Sequence, residues 1–334
     1  MPTFTRTQQK MLQDTFGRTH DYLRISLTDQ CNFRCQYCIP HEDFDFMPSS
    51  KLMSANEINS IAGEFVRLGV KKIRLTGGEP LLRKDFEEIV SLLSQYPVEL
   101  TITTNGYNLQ KHLHLIKKVG IKTINVSLDT LQSETFLKLT KRPAFEKVWN
   151  NINLLYAEGL NVKINTVVMR GVNELEIPQF IELTKERSYE VRFIEFMPFK
   201  NNAWENNKVF SYQEILETIE LDYECLAGAP NDTAKKFKIK DYKGSFAIIS
   251  TMTAPFCNSC NRLRLTADGK MKNCLFSKGE ADILGAMRNG IDIIPIIEQC
   301  LLSKAEKLGG QLNENYKNID ASVISNRSMI KIGG

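Results

Sequence analysis

Between residues 22 and 196 the chain alternates between two hydrophobic periods. Short apolar, β-branched runs occur at 22–27, 72–75, 98–103, 123–128, 162–168 and 191–196. Each reads as a buried strand. Most of the segments between them carry apolar residues at helical spacing. Ser54-Ala-Asn-Glu57 opens one as a capping box, and Asp85, Ser133 and Asn173 mark the starts of others. Gly69 and Gly120 fall where helix C-caps are expected, just before the next strand.

Repeated strand–helix units imply a parallel sheet with right-handed crossovers. Six units predict a doubly wound sheet or an incomplete barrel. Polar and glycine residues gather at the strand ends: Thr28-Asp29, Thr76-Gly77-Gly78-Glu79, Thr103-Thr104-Asn105, Ser127-Leu128-Asp129 and Glu195-Phe196-Met197. That favours the barrel, whose enzymes build their sites at that face. The pattern breaks in the polar, Asn-rich stretch 200–207, which predicts a boundary there. The expected architecture is α/β: an incomplete (β/α)6 TIM-type barrel over 1–200, then an α+β extension over 201–334. In the extension we expect a helix at 213–219, a strand at 246–250, helices near 281–289 and 293–308, and a polar tail ending Gly333-Gly334.

With 42% hydrophobic and 25% charged residues in 334, composition is ordinary and globular. A net charge of +4 is too small to imply nucleic-acid binding, yet local basic clusters can still take an anionic small molecule. No apolar run approaches the roughly 18 residues of a membrane span. Residues 1–12 lack the apolar stretch of a secretory signal. The expectation is a cytoplasmic protein, in which thiols stay reduced.

Six of the eight cysteines fall into two tight groups. Cys31, Cys35 and Cys38 form a C-x3-C-x2-C run after the first strand. Cys257, Cys260 and Cys274 form the second group. Grouped cysteines in a reducing compartment read as metal or cluster ligands. Three thiolates hold three irons of a cubane and leave the fourth open, whereas a closed electron-transfer site uses four. The alternative at each group is zinc with a distant fourth ligand, Cys225 or Cys300 at the second. Zinc sites, however, favour paired C-x2-C units. Cys225 and Cys300 are themselves expected to be buried thiols. In Cys260-Asn-Arg262-Leu-Arg264, strand alternation puts both arginines on one face, as an anion clamp would need. Arg24, Lys72, Arg74, Lys163 and Arg192 also lie at or near strand ends. Each alone could be a structural ion pair; together they suggest a polyanionic substrate such as a nucleoside triphosphate. There is no Walker-type loop.

The first cysteine run, with Tyr37 before its last cysteine, resembles the signature of the radical S-adenosylmethionine superfamily. Thr76-Gly77-Gly78-Glu79-Pro80 matches that superfamily's glycine-rich element. Its glycines would let the backbone approach the methionine moiety closely, and Glu79 would accept from the ammonium group. Together with Asp21-Tyr-Leu-Arg24, Lys71-Lys-Ile-Arg74, Thr103-Thr-Asn-Gly106, Asn125-Val-Ser-Leu-Asp129, Arg192-Phe-Ile-Glu-Phe-Met197, Cys257-x2-Cys260-Asn-Arg-Leu-Arg264 and the terminal Gly-Gly, the chain resembles the GTP 3′,8-cyclase family, also called molybdenum cofactor biosynthesis protein A. The resemblance runs from about residue 17 to 334. Gln30 stands where arginine is expected and Ile39 where methionine is common.

The resemblance implies a lyase of molybdenum cofactor biosynthesis with two 4Fe–4S clusters, one in each part, and S-adenosylmethionine. An adenosyl radical would take hydrogen from C3′ of GTP. Attack on C8 would then give (8S)-3′,8-cyclo-7,8-dihydroguanosine 5′-triphosphate. Tyr37, Gly78, Glu79, Ser127 and Met197 would contact S-adenosylmethionine. Arg24, Arg74, Thr103 and Lys163 would contact GTP, supported by Lys72 and Arg192. The second cluster would bind the guanine, with Arg262 and Arg264 lining the pocket. Gly333 and Gly334 would enter the active site. An external electron donor and a downstream enzyme would be partners. Oligomeric state is left open, a homodimer among the options, as is any role for His41. The competing readings are a two-cluster radical enzyme acting on a peptide or other substrate, and a zinc-binding module without activity.

Overall fold

The computed structural model describes residues 11–39, 44–200, 202–229, 231–313 and 315–333. Six strands form its centre: β1 (Tyr22–Ser26), β2 (Lys72–Thr76), β3 (Glu99–Thr104), β4 (Thr123–Ser127), β5 (Asn161–Val168) and β6 (Glu190–Glu195). They pair in parallel and in chain order. Six helices connect them: α1 (Ala55–Arg67), α2 (Phe86–Leu93), α3 (Leu109–Lys118), α4 (Ser133–Thr140), α5 (Phe145–Ala157) and α6 (Ile177–Glu186). The capping box forms as expected: Ser54 accepts from the Glu57 N–H while Glu57 accepts from the Ser54 N–H. The same helix buries Ile58, Ile61, Ala62 and Phe65, the stripe expected at a 3.6-residue period.

Every central strand obeys one alternation. Leu23, Ile73, Ile102, Ile124, Ile164 and Val191 are fully buried in the apolar core. The residues between them are polar: Arg24, Arg74, Thr101, Asn125, Lys163 and Arg192. The strands are therefore apolar and fully buried on one face, and polar and in part only half-buried on the other. With right-handed crossovers between neighbours in chain order, the helices gather on one side of the sheet. The polar row is left to line an interior space.

The rest of the chain adds strands to both edges of this sheet, giving a mixed α/β fold. α7 (Tyr212–Glu217) leads into β7 (Tyr223–Leu226), β8 (Lys235–Ile239) and β9 (Ser245–Ile249), and β9 joins β6 in parallel. β10 (Arg262–Leu265) joins β1 in parallel and continues antiparallel into β11 (Lys270–Lys272) and β12 (Ala281–Asp282). The helix expected from 281 starts two residues late, as α8 (Ile283–Arg288), because Ala281 and Asp282 pair with β11 and the Asp282 side chain caps the helix. α9 (Ile294–Leu302) ends six residues before the expected 308. There Lys304 turns inward, 4% exposed, and donates to the Asn273 carbonyl. A last short helix, α10 (Met329–Ile332), carries the tail. Among the described residues no helix is long and apolar enough to cross a membrane.

Candidate active site

Register places the polar face in rows. Tyr22, Lys72 and Glu99 lie side by side, flanked by Arg262. One step along, Arg24 and Arg74 adjoin Thr101, flanked by Arg264. With Thr103, Lys163 and Arg192 they wall a cavity of about 510 Å³. All eight residues expected to contact the nucleotide line it. Lys71 and Lys236, which carry no role in the sequence reading, line it too. Nine lysines and arginines thus face three acidic residues, Asp21, Glu99 and Asp232.

Not every cation there is free. Glu190 pairs with Lys163 at 3.0 Å and also accepts from Arg192. Burial raises the Glu190 carboxyl, but those two cations outweigh it and bring it to about 2. Lys72 is paired with Glu99 at 2.8 Å. Arg74 is brought down to about 9, chiefly by burial, with neighbouring arginines adding to it. Four buried polar atoms on this wall have no partner: Tyr22 OH, Arg24 Nε, Thr103 Oγ1 and Asn165 Oδ1. Buried polar groups are rarely left so. A space walled by unneutralised cations and orphaned polar atoms fits a polyanionic ligand.

The second cysteine group opens onto the same cavity. Cys257 Sγ accepts from the Leu308 N–H at 3.4 Å, and Cys260 Sγ from Lys304 Nζ at 3.8 Å. Burial raises the Cys260 thiol, yet Lys304 and Arg262 overcome that and hold it below its ordinary value. Donors of this kind stabilise thiolate ligands. Cys300 is buried and turned to the Met271 carbonyl. Cys225 is exposed on strand β7, which corrects the expectation of a buried thiol: the outermost strand leaves it facing solvent.

The first group occupies the loop after β1, where the Cys38 and Ile39 N–H groups both donate to the Cys35 carbonyl. Cys31 Sγ accepts from the Phe33 N–H at 3.4 Å and Asn105 Nδ2 at 3.9 Å. Burial pushes the Cys31 thiol up to about 11, and Glu79 adds to it. Burial raises Cys35 as well, helped by Asp129 and both neighbouring cysteines. Thiols so crowded ionise only against metal. Among the described residues no three ligand-type side chains gather as they would on a single ion. The two groups lie at opposite ends of the strands: the first follows the C-terminal end of β1, while Cys260 precedes the start of the parallel β10.

Two family models together match most of the chain. Residues 25–184 match the radical SAM superfamily and residues 189–309 match Molybdenum Cofactor Synthesis C. The chain is 44% identical over 333 residues to the mitochondrial GTP 3′,8-cyclase of Arabidopsis thaliana, covering 97% of this chain and 84% of that one. It belongs to the GTP 3′,8-cyclase family. The GTP 3′,8-cyclase of Rhodopirellula baltica is 40% identical, covering 88% and 86%. Human molybdenum cofactor biosynthesis protein 1 is 42% identical over 96% of this chain, which spans about half, 51%, of that relative's length. Among solved structures, Streptococcus suis SuiB shares the fold, with a TM-score of 0.58 at 14% identity over 78% of this chain and 62% of that one.

Of the residues expected at S-adenosylmethionine, Tyr37 lies in the first cysteine loop, Gly78 and Glu79 pack against Gln30 before it, and Ser127 ends β4; Met197 alone also lines the cavity. Tyr37 donates to Asp129 Oδ2 at 2.7 Å, a strand-end acid that carries no role in the sequence reading. Glu79 is 1% exposed and accepts from the Leu81 N–H, Thr104 Oγ1 and the Asn105 N–H. One of four lone-pair positions stays open. Burial pushes its carboxyl up to about 7 against those donors. The glycines have a reason that the sequence did not reveal. A Cβ on Gly77 would lie 2.5 Å from the Thr28 carbonyl, and one on Gly78 2.4 Å from the Gln30 carbonyl. They let the loops after β1 and β2 touch backbone to backbone, fixing Glu79 beside the cysteines.

The tail reaches the same place. The Gly333 carbonyl accepts from Arg264, and a Cβ on Gly333 would lie 2.9 Å from Thr76 Cγ2. The Ile330 backbone hydrogen-bonds Cys38, and Met329 lines the cavity. Gly334 and His41 lie outside the described residues. The β10–β11 hairpin that carries Arg264 also carries Asp268, which takes a two-pronged bond from Arg327 at 2.8 and 3.0 Å; Glu280 accepts from the same guanidinium at 2.6 Å. Replacing Arg327 with glutamine should free the tail. Faster amide exchange at 329–333 with unchanged exchange in β1–β6 is the expected result.

Proposed function

We propose that this chain is a radical enzyme that converts GTP to (8S)-3′,8-cyclo-7,8-dihydroguanosine 5′-triphosphate, the first step of molybdenum cofactor biosynthesis. One observation carries the reading: a nine-cation cavity receives the second cysteine group and reaches Met197 beside the S-adenosylmethionine residues. We read β1–β6 as an incomplete TIM-type barrel in residues 1–200, and 201–334 as an extension that carries the second cluster.

The first cluster and S-adenosylmethionine together supply a 5′-deoxyadenosyl radical. The protein's part is placement. Cys31, Cys35 and Cys38 would hold one cluster, and Cys257, Cys260 and Cys274 the other, beside the guanine. Tyr37, Gly78, Glu79, Ser127 and Met197 would seat S-adenosylmethionine at the strand ends. Arg24, Lys72, Arg74, Thr103, Lys163 and Arg192 would hold GTP so that C3′ faces the first cluster. Arg262 and Arg264 would stabilise charge developing on the purine, as preorganised donors do. Arg264 also fixes Gly333, which closes the strand ends against water. One hydrogen atom leaves C3′ and one electron and one proton return, so the product is an isomer of GTP. The electron comes from an external donor, and a downstream enzyme takes the product. A cytoplasmic, reducing setting suits six ligand thiols. A peptide substrate is disfavoured, because an enclosed, strongly cationic cavity matches a triphosphate.

Anaerobic incubation with dithionite, S-adenosylmethionine and each nucleoside triphosphate tests this. GTP alone should be consumed, to an isomer of equal mass. Deuterium at C3′ of GTP should appear in 5′-deoxyadenosine. Cleavage of S-adenosylmethionine with every nucleotide left intact would exclude the proposal.

A further inference from the structure

Tyr22 has no place in the roles assigned so far, yet it stands at the centre of the cationic wall. It is 8% exposed, and its hydroxyl is buried without a partner. The Arg24 guanidinium lies 5.7 Å from its ring centre, the Arg74 guanidinium 5.4 Å and Lys72 Nζ 5.6 Å. Arg262 is its register partner on β10. Glu99, the nearest acid in the row, is taken by Lys72. A phenol surrounded by cations has donors on every side and nothing to accept its own proton. The missing partner is an acceptor, and the surrounding charge makes it an anion.

We propose that Tyr22 is a further substrate-binding residue, whose hydroxyl donates to the phosphate chain of the nucleotide and makes the cavity sensitive to the length of that chain. This rests on the GTP reading above and adds a residue to it. Position supports phosphate contact. Tyr22 opens β1, whereas Ser26, which Gly333 touches, closes it. At roughly 3.3 Å per residue the two rows are about 13 Å apart. The reacting ribose must reach the upper row, beside the first cysteine loop, and the guanine the second cysteine group beyond Arg262, so the β2 side of the lower row, Lys71 and Lys72, is left for the phosphates. The electrostatics agree: burial raises the phenol, but Arg74, Arg24, Lys72 and Arg262 outweigh it and hold it at about 8, which makes it a strong donor to phosphate oxygen. The aromatic ring has a second use, since it spaces three cations that would otherwise repel one another.

The test is equilibrium binding of GTP, GMP and guanosine to the cluster-loaded protein and its Tyr22→Phe variant, which keeps the ring and loses only the hydroxyl. GTP affinity should fall about tenfold, the usual worth of a hydrogen bond to a charged group. GMP and guanosine should change less than twofold. Equal weakening of all three ligands would put the hydroxyl on the base or sugar and overturn the proposal. So would unchanged GTP binding in Tyr22→Phe, including the case where Tyr22→Leu alone loses affinity through the ring. If the parent protein binds no GTP, the functional reading fails, and that outcome is distinct from parent binding that the variant retains.

Discussion

Replacing Cys35 with alanine is expected to abolish reductive cleavage of S-adenosylmethionine. Cys35 is the middle donor of a loop folded around its own carbonyl, and burial, Asp129 and both flanking cysteines all act to raise its thiol. No neighbouring cysteine can replace it. Cys225 is exposed on β7, and Cys300 is buried and turned to the Met271 carbonyl. Chromatography of 5′-deoxyadenosine after anaerobic incubation reads the result. The variant should give background amounts, while Cys225→Ala gives the parent yield. Undiminished cleavage by Cys35→Ala would remove this loop from the chemistry.

The second large effect is expected at Gly333. Its φ of +84° is one that L side chains rarely adopt, and a Cβ there would meet Thr76 Cγ2 at 2.9 Å and Ser26 Cβ at 3.1 Å. Gly333→Val should therefore push the tail off the ends of β1 and β2 and break its bond to Arg264. The fold should survive, because the large core around the central strands does not use this segment, and of its buried residues only Ile332 joins the smaller apolar cluster that contains Phe276. A displacement of about 1 Å at a reacting site can cost on the order of a hundredfold, so cyclisation should fall at least that far. Iron content should hold, and S-adenosylmethionine should be cleaved without product. Removal of Gly333 and Gly334 together is expected to do the same. Product formed at the parent rate would show that the tail is a bystander.

Much of this was legible in the sequence because its signals are local. Short apolar, β-branched runs placed all six central strands within a residue or two, and Ser54 and Glu57 announced α1. Cysteine spacing marked both groups, and the arginines of β10 were correctly put on one face. What escaped depended on distant partners. β8 carries three lysines around two buried apolar residues, Phe237 and Ile239, and becomes a strand because β7 and β9 are there to pair with. The end of α9 is set by Lys304 reaching the Asn273 carbonyl, a contact across 31 residues. Gly77 and Gly78 looked like a ligand cradle, but they first allow two loops to touch. Tyr22 looked like strand filling, since nothing in a single strand says that four cations will converge on it. The placement of the two cysteine groups at opposite ends of the sheet was likewise hidden until β10 was seen to run parallel to β1.

The account depends on two separate three-thiolate sites, each holding its own cluster. Iron and acid-labile sulfide, measured in the anaerobically reconstituted chain and in two triple variants, test that directly. Substituting Cys31, Cys35 and Cys38 by alanine should halve both quantities, as should substituting Cys257, Cys260 and Cys274. Zinc in place of iron at either group, or one substitution removing all the iron while the other removes none, would contradict it.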